Sequence, residues 1–368
     1  MEITDKNRVC IIGNNASGQP ISDGGRIKIR LFKDLLLKEG IDAYIIDLDG
    51  WSKHILRTCF KIKKAIKSKE TILIMAGPNG SRKIIPLVNA FNGKKRSRVV
   101  YCPLGIGTIE KPIRRLPKED VNIFMSGETF FGISDDKIGR GLGKLDCILA
   151  ENEVICNCYK KFYGLSNVVV LNNFRCTVFK KREYSKQGPL SLVFLSRVCE
   201  EKGIFDLINA VKELNEKGRK LRLDIYGDLQ FQDTQEKCFR TLLDTNIRYL
   251  GIAQKESVIE TIGKYDLFVL PTKYIGEGTS GALIEAFLSG TPALVSSYSQ
   301  AKTLIEDGQD GFIFKLGDKE DLADKLLFLS ENRSILKSVG VAAQQKAVIY
   351  TYEYNRPIFL SGILGDSK

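Results

Sequence analysis

The chain has 368 residues, of which 43% are apolar and 27% are charged. A chain of this length and balance is expected to fold into two globular domains of roughly 150–200 residues each. Its longest apolar runs are far shorter than the roughly 18 residues that a membrane-spanning helix requires. The first residues form no charged-then-apolar leader. These features argue against a secreted or membrane-spanning protein.

Cysteine and histidine usage argues against several kinds of site. There are nine cysteines without a Cys-x-x-Cys motif, and the single histidine is His54. A zinc site needs about four closely spaced Cys or His ligands, so neither a zinc site nor a disulfide framework is predicted. The thiols are expected to be reduced, in the cytoplasm. His54 is expected to have a structural or surface role rather than to serve a catalytic triad.

Positive charge is concentrated in the first half of the chain, and the net charge is +12. Residues 1–180 contain 31 Lys or Arg and 18 Asp or Glu, whereas residues 181–368 contain 25 and 26. The halves are therefore expected to have different partners, one of them anionic.

The first half alternates continuous apolar runs with helical periodicity, which predicts βαβ units and a parallel sheet. The predicted strands are Arg8–Ile12, Ala43–Asp47, Thr71–Met75, Arg98–Cys102, Val121–Met125, Cys147–Ala150 and Val168–Leu171. The predicted helices are Gly25–Glu39, Lys53–Lys67 and Glu153–Tyr163.

The polar stretch Lys180–Pro189 is predicted to be a linker, because the alternation stops there and then restarts. The predicted strands of the second half are Leu192–Leu195, Leu223–Tyr226, Arg248–Leu250, Leu267–Leu270, Ala293–Val295 and Phe312–Phe314. The predicted helices are Ile204–Glu216, Ala282–Ser289, Glu320–Ser330 and a final segment near Ser334–Leu364.

The strongest motif is the Gly-rich loop after the fourth strand of the second half. Glu277 lies on this loop, and a helix that begins near Ala282 carries Glu285, with Thr279 or Ser280 as its N-cap. Amides at a helix N-terminus favour a phosphate, and carboxylates accept hydrogen bonds from hydroxyls. A sugar nucleotide contains both phosphates and hydroxyl groups. The alternative is a capped helix with a solvated glutamate.

A second motif follows the first strand of the same half. Arg197 comes just after this strand, and Lys202-Gly203 opens the next helix. Both side chains are expected to project over one sheet edge towards the Gly-rich loop. Two cations beside helix amides predict a diphosphate site, and the alternative is a solvated helix cap.

A third and weaker motif is Asp23-Gly24-Gly25-Arg26, ahead of the first helix. Glycine allows a ligand to approach the backbone closely. An ordinary turn explains the same residues equally well.

Taken together, these motifs resemble glycosyltransferase family 4, specifically over about residues 190–315 and more loosely over residues 1–180. The matching residues are Arg197, Lys202, Gly203, Gly251, Glu277, Glu285, Ala286, Gly290 and Pro292. The resemblance implies a retaining enzyme with the GT-B fold, an α/β architecture of two Rossmann-like, doubly wound domains that face a central cleft. It implies an acceptor-side domain at residues 1–180, a donor-binding domain at 181–349 and a helical segment at 350–368 that crosses back to the first domain.

The resemblance also implies roles for the motif residues. Arg197 and Lys202 would bind the donor diphosphate, Glu277 would contact the transferred sugar, and Glu285 would bind the ribose hydroxyls. The first three would be the catalytic residues. The full implied donor site is Gly25, Arg197, Lys202, Ile252, Glu277, Gly278, Thr279, Ser280, Gly281, Ala282 and Glu285.

The implied reaction transfers a sugar from a nucleotide-sugar donor, commonly a UDP-sugar in this family, to a glycan or lipid-linked glycan acceptor. The departing phosphate would itself take the acceptor proton, while cations and helix amides stabilise its charge. The sequence offers no cluster of metal ligands, so metal-independent catalysis without a cofactor is expected. Surface polysaccharide pathways, such as capsule or lipopolysaccharide biosynthesis, would fit this reaction.

The chain departs from the family pattern in three places. Ser196 stands where many members have glycine, and Thr279 stands where many have an aromatic residue. The segment Val99–Gly105 lacks the histidine that commonly follows the fourth strand. Another group would have to make the sugar contact credited to that histidine.

Three other functions are considered. A sugar-nucleotide epimerase or a silent transferase would share the GT-B fold. A nucleic-acid-binding protein would interleave its basic residues with surface aromatics, and the basic stretches here contain almost none. A nicotinamide-dependent oxidoreductase would carry Gly-x-Gly-x-x-Gly after its first strand, which Gly13–Gly18 does not match. No nucleic-acid partner is therefore expected.

The stretch Lys53–Lys69 could place the protein on the inner face of the cell membrane. Its apolar residues, with lysines beside them, form the pattern of a basic amphipathic helix that lies on an anionic surface. The apolar residues are Ile55, Leu56, Cys59, Phe60, Ile62 and Ile66. Lys94–Arg98 and Arg114-Arg115 could add charge. The alternative is a core-packed helix with solvated lysines and a soluble acceptor.

Overall fold

The structure is a computed structural model, and it is described residue by residue over most of the chain. The described residues are 8–15, 24–94, 97–109, 137–176, 182, 184, 188–254, 257–274, 277–298 and 300–365. The chain divides into two compact units. Unit 1 comprises Met1–Asn172 with Asn355–Lys368, and unit 2 comprises Asn173–Tyr354. The predicted strand Val121–Met125 lies outside the described residues, as does most of the predicted linker Lys180–Pro189.

Unit 1 is built on a parallel sheet with buried strands. Its strands are β1 Arg8–Gly13, β2 Asp42–Asp47, β3 Thr71–Met75, β4 Val99–Tyr101, β5 Cys147–Ala150 and β6 Val168–Val170. Its described helices are α1 Gly24–Lys38, α2 Ile55–Lys67, α3 Pro78–Phe91, α4 Lys137–Leu142 and α5 Glu153–Tyr163. The strand order is β2-β1-β3-β4-β5-β6. The continuous apolar runs are explained by this arrangement, since the strands are buried on both faces.

Unit 2 repeats the plan. Its strands are β7 Leu190–Leu195, β8 Leu221–Tyr226, β9 Ile247–Tyr249, β10 Leu267–Leu270, β11 Ala293–Ser296 and β12 Phe312–Phe314. Its described helices are α6 Ile204–Glu216, α7 Asp233–Thr241, α8 Val258–Ile262, α9 Gly281–Ser289, α10 Ala301–Leu304, α11 Lys319–Glu331 and α12 Ile335–Lys346. All strand pairs are parallel, in the order β12-β11-β10-β7-β8-β9.

The predicted α/β class with two doubly wound sheets is confirmed. Five of the described helices escaped the sequence analysis, namely α3, α4, α7, α8 and α10. The two longest of them, α3 and α7, did so for different reasons. α3 contains Pro86 in its interior, where proline usually interrupts a helix. α7 has few apolar residues and buries only Phe239.

The last helix, α13 (Tyr352–Leu364), begins in unit 2 and ends in unit 1. In unit 2, Tyr352 packs against Phe174 with ring centroids 5.6 Å apart. In unit 1, Phe359 packs edge-on against Phe32 at 5.0 Å. Each part of this helix thus makes an aromatic contact within its own unit.

None of the described helices combines the length and hydropathy needed to cross a membrane.

Candidate functional site

The candidate site lies at the carboxyl edge of the unit 2 sheet. The chain enters this sheet at β7, adds β8 and β9 on one side, and then adds β10, β11 and β12 on the other. The connections after the neighbouring strands β7 and β10 therefore diverge. Open parallel sheets bind ligands at such a switch point. The second motif follows β7 and the Gly-rich loop follows β10, so the fold brings them together.

Gly203 allows the two connections to touch. Its φ is +74°, and a Cβ at this position would lie 2.0 Å from the carbonyl oxygen of Pro271. Only glycine fits this backbone conformation and this approach. The backbone N–H of Lys273 also donates to the carbonyl of Glu201 at 2.8 Å. The turn that carries Lys202 is thereby fixed against the end of β10.

Lys202 and Glu277 form a buried ion pair across these connections. Their exposed fractions are 5% and 8%. Thr272 donates a hydrogen bond from Oγ1 to Glu277 Oε2 at 3.1 Å, and Gln300 donates to the Glu277 carbonyl at 3.1 Å. The Lys202 amino group also lies 5.6 Å from the centroid of the Tyr274 ring. Both charges are thus held in defined positions at the switch point.

The prediction that both cations turn towards the Gly-rich loop is wrong for Arg197. Its guanidinium donates to Gln230 Oε1 at 3.2 Å, on the connection after β8. Gly227 explains this direction, because a Cβ there would lie 1.7 Å from the Ser196 carbonyl oxygen. The ends of β7 and β8 approach closely at this glycine, and Arg197 faces the β8 side.

The N-terminus of α9 is formed by the Gly-rich loop. Ser280 occupies the N-cap position, but its side chain makes no capping hydrogen bond. Thr279 is buried, and its carbonyl accepts a hydrogen bond from Asn173 Nδ2 at 2.8 Å. Gly278 is buried in the loop, and Ala282 lies partly buried in the first turn of the helix. The predicted helix start is therefore nearly correct, while the predicted side-chain cap is absent.

Glu285 has a partner that the sequence analysis missed. Arg175 donates from Nε to Glu285 Oε1 at 2.7 Å, and each side chain is 16% exposed. The two residues are 110 positions apart in the chain. No spacing motif links them, so the local sequence carries no signal for this pair.

The remaining predicted donor residues lie on other elements of the chain. Ile252 is 53% exposed after β9, next to Gly251, which has a φ of +76° and open space around it. Gly25 lies in the first turn of α1, in unit 1. Asp23 and Gly276 lie outside the described residues.

Unit 1 also has a buried ion pair at its carboxyl edge. Lys28 in α1 lies 3.2 Å from Glu151, which follows β5. Cys102 follows β4, in the segment where the family commonly has a histidine. Burial raises the pKa of the Cys102 thiol. Burial opposes the charge on Lys28, but the neighbouring Cys102 and Glu151 outweigh it and raise the pKa of Lys28.

The described residues bring together no group of three or more His, Cys, Asp or Glu side chains that could hold a metal ion.

Two doubly wound parallel sheets are the architecture of the GT-B fold. The structure is similar to the crystal structure of HepE from Anabaena in complex with UDP-glucose. The TM-score is 0.71 at 14% identity, and the match covers 96% of this chain and 98% of HepE. This likeness shows the fold.

Residues 177–346 match the family model of glycosyl transferases group 1. The chain is 25% identical over 181 residues to the capsular polysaccharide biosynthesis glycosyltransferase CapM of Staphylococcus aureus, covering 48% of this chain and 47% of CapM. It is 30% identical over 164 residues to the amylovoran biosynthesis glycosyltransferase AmsK of Erwinia amylovora, covering 43% of this chain and 40% of AmsK. The chain thus spans less than half the length of these curated relatives. The resemblance to polysaccharide-biosynthesis glycosyltransferases is confirmed, while assignment to family 4 stays a prediction.

Proposed function

We propose that this protein is a retaining glycosyltransferase that moves a sugar from a UDP-sugar to a lipid-linked glycan in surface polysaccharide biosynthesis. One observation carries the proposal: the buried Lys202–Glu277 pair lies at the switch point of unit 2, beside the N-terminus of α9. A sugar diphosphate requires a cation and helix amides for its phosphates, and a carboxylate that accepts hydrogen bonds from its sugar hydroxyls.

In this proposal Lys202 binds the leaving diphosphate while Glu277 binds a hydroxyl of the transferred sugar. A lysine ammonium has three N–H donors, so its ion pair with Glu277 leaves donors for a phosphate oxygen. The amides at the start of α9 add partial positive charge to the same place. Arg197, on the β8 side, approaches the diphosphate from the other flank.

The chemistry follows from this arrangement. The bond between the anomeric carbon and the diphosphate oxygen breaks, and the acceptor hydroxyl attacks from the same face. The departing phosphate oxygen takes the proton of that hydroxyl. Lys202, Arg197 and the α9 amides stabilise the negative charge that grows on the leaving group. These cations would take the place of a divalent metal, so the reaction is proposed to be metal-independent.

The donor and pathway are supported by the named relatives. HepE was crystallised with UDP-glucose, and CapM and AmsK are named for capsular and amylovoran polysaccharide biosynthesis. A UDP-sugar donor and a bacterial surface glycan are therefore the substrates to test first.

The test is an assay of the full chain with a panel of UDP-, GDP-, ADP- and dTDP-sugars, with and without a lipid-linked glycan. Transfer from a UDP-sugar in the presence of EDTA, with the donor's anomeric configuration kept in the product by NMR, is the expected result. Inversion would overturn the retaining mechanism, and loss of transfer with EDTA would overturn metal independence. Conversion of the donor sugar without any acceptor would favour an epimerase.

A lipid-linked acceptor is supported by the surface of α2. Leu56 and Phe60 lie one helical turn apart and are 83% and 70% exposed, whereas Ile62 and Ile66 are buried against the sheet. The helix therefore does not carry one apolar stripe, as the sequence suggested, but two apolar faces. One packs in the core and the other faces solvent, where an amphipathic helix would meet lipid.

The exposed positive charge of the α2 segment also supports a lipid-linked acceptor. Seven cationic residues of the stretch Lys53–Lys69 are exposed: Lys53, Arg57, Lys61, Lys63, Lys64, Lys67 and Lys69. Arg98 does not add to this patch, because it donates to the carbonyls of Gly362 and Ile363 at 3.0 and 3.1 Å. Arg114 and Arg115 lie outside the described residues. The patch fits an anionic bilayer on the cytoplasmic side of the membrane.

Co-sedimentation with liposomes tests this part of the proposal. Anionic vesicles should bind the protein at low salt, neutral vesicles should not, and Leu56→Ser/Phe60→Ser should weaken binding. The matched control is Phe328→Ser/Val341→Ser, which removes exposed apolar side chains from unit 2. Equal binding to both kinds of vesicle, or none to either, would favour a soluble acceptor.

A further inference from the structure

An arginine on the chain segment that enters unit 2 is fixed by its backbone. Arg175 lies two residues after the start of the unit at Asn173. Its backbone N–H donates to the carbonyl of Tyr350 at 2.9 Å, and its carbonyl accepts from the N–H of Tyr352 at 3.0 Å. The main chain of Arg175 is thus held by two residues from the C-terminal end of unit 2.

The side chain of Arg175 is fixed on two edges of its planar group. Nε donates to Glu285 Oε1 at 2.7 Å. Nη1 donates to the carbonyl of Phe174 at 3.0 Å and to Asn173 Oδ1 at 3.3 Å. A guanidinium anchored in this way has a single orientation, and it therefore sets the orientation of the carboxylate that it holds.

The same group lies against the start of α9. A Cβ on Gly281 would be 1.9 Å from Arg175 Nη2, so only glycine leaves room for the guanidinium. Asn173, one partner of Arg175, also donates to the carbonyl of Thr279 at 2.8 Å. Arg175 and Asn173 thereby fix both Glu285 and the loop that precedes the helix.

We propose that Arg175 is a positioning residue of the donor site, which holds Glu285 so that its second oxygen, Oε2, accepts hydrogen bonds from the ribose of the nucleotide. This inference rests on the proposed function. Arg175 occupies Oε1, and no described residue donates to Oε2. A carboxylate is a hydrogen-bond acceptor only, so Oε2 is suited to hydroxyl donors.

A merely structural ion pair would stabilise the fold without affecting which nucleotide binds. A site that accepts a hydrogen bond from a ligand hydroxyl instead discriminates against the analogue that lacks it. The preference for UDP over 2′-deoxy-UDP therefore separates the two roles.

The experiment is calorimetric titration of the full chain with UDP and 2′-deoxy-UDP. Arg175→Gln should weaken UDP binding about tenfold, the size of one charged hydrogen bond. It should also reduce the preference for UDP to that of Glu285→Gln. Because the two residues act together, the double variant should bind UDP no more weakly than Glu285→Gln alone.

The matched control is Arg333→Gln. Arg333 pairs with Asp266 at 2.9 Å, with exposed fractions of 16% and 12%, in the same unit but at the amino end of β10. This variant should lower the melting temperature without changing the preference for UDP.

The outcomes separate the inference from the proposed function. A wild-type chain that binds no nucleoside diphosphate would overturn the proposed function. A wild-type preference for UDP that survives in Arg175→Gln would overturn this inference alone, and so would equal binding of the two nucleotides by the wild type. If Arg175→Gln does not fold, Arg175→Lys keeps the charge but loses the forked geometry, and an undiminished preference there would also overturn the inference.

Discussion

A buried Lys–Glu pair lies at the carboxyl edge of the sheet in both units, and the two pairs differ in their surroundings. In unit 1, Lys28 reaches from α1 to Glu151, and its amino group lies 5.8 Å from the centroid of the Phe32 ring, which is in the core. In unit 2, Lys202 and Glu277 lie on two connections that diverge at a switch point.

The difference shows that burial alone does not mark a functional pair. The unit 1 pair joins a helix to a strand end, and it balances two charges inside the packed layer. The unit 2 pair joins two loops beside a helix N-terminus, where a ligand of an open parallel sheet would bind. We therefore expect the first pair to contribute to stability and the second to contribute to turnover as well.

Lys202→Met should have the largest effect. Removing a cation that stabilises the leaving group should lower kcat by about 10²–10³-fold, more than it raises the KM for the donor. Steady-state kinetics on the folded fraction measure this effect. A kcat close to that of the wild type would show that the unit 2 pair is structural too.

Lys28→Met should destabilise unit 1, because it leaves Glu151 charged and buried without its partner. The free energy of unfolding should fall by roughly 3–5 kcal/mol, the usual result of breaking a buried pair. Urea unfolding measures this change, and Lys28→Met/Glu151→Gln should recover part of it. The folded fraction should keep its kcat, and a large loss of turnover in a stable variant would contradict the comparison.

Gly203→Ala tests whether the contact between the two loops of unit 2 matters. Alanine at a positive φ should cost roughly 1–2 kcal/mol, and the clash with Pro271 adds to this. Gly218→Ala is the matched control, since Gly218 has a φ of +83° and open space around it. Only Gly203→Ala should lower turnover in addition to stability. Equal effects of the two variants on stability and turnover would mean that the close approach is unimportant.

Cysteine modification should have the smallest effect, and it should distinguish the two units by how exposed their cysteines are. The exposed cysteines are Cys176 and Cys238 in unit 2, so iodoacetamide at neutral pH should label them first. In unit 1, burial raises the pKa of Cys10 to about 12 and that of Cys158 to about 12.

These raised pKa values predict a pH dependence of stability. Between pH 9 and 12 the unfolded chain loses thiol protons that the folded chain keeps, so the free energy of unfolding should fall as pH rises through this range. Thermal melts across the range measure the change. Cys10→Ser/Cys158→Ser should flatten the profile, and an unchanged slope would contradict this cause.

Elements whose signal is local could be predicted from the sequence. Continuous apolar runs predicted the strands, since a strand buried on both faces cannot carry alternating polar residues. α6 and α5 were predicted with their observed ends, and the Gly-rich loop before α9 was placed after the correct strand. Lys202 and Glu277 could be predicted as site residues because each follows the end of a strand within a few positions and lies next to glycines.

Contacts between side chains that are distant in the chain could not be predicted in this way, because they depend on how the elements pack. Arg175 donates to Glu285, which is 110 residues away in the chain. Arg197 donates to Gln230, beside the close approach of β7 and β8 at Gly227. Both faces of α2 carry large apolar side chains, Leu56 and Phe60 on one and Ile62 and Ile66 on the other, and packing decides which face is buried. Periodicity reports the conformation of a segment, whereas the partners of a side chain depend on the strand order and on contacts between residues that are distant in the chain.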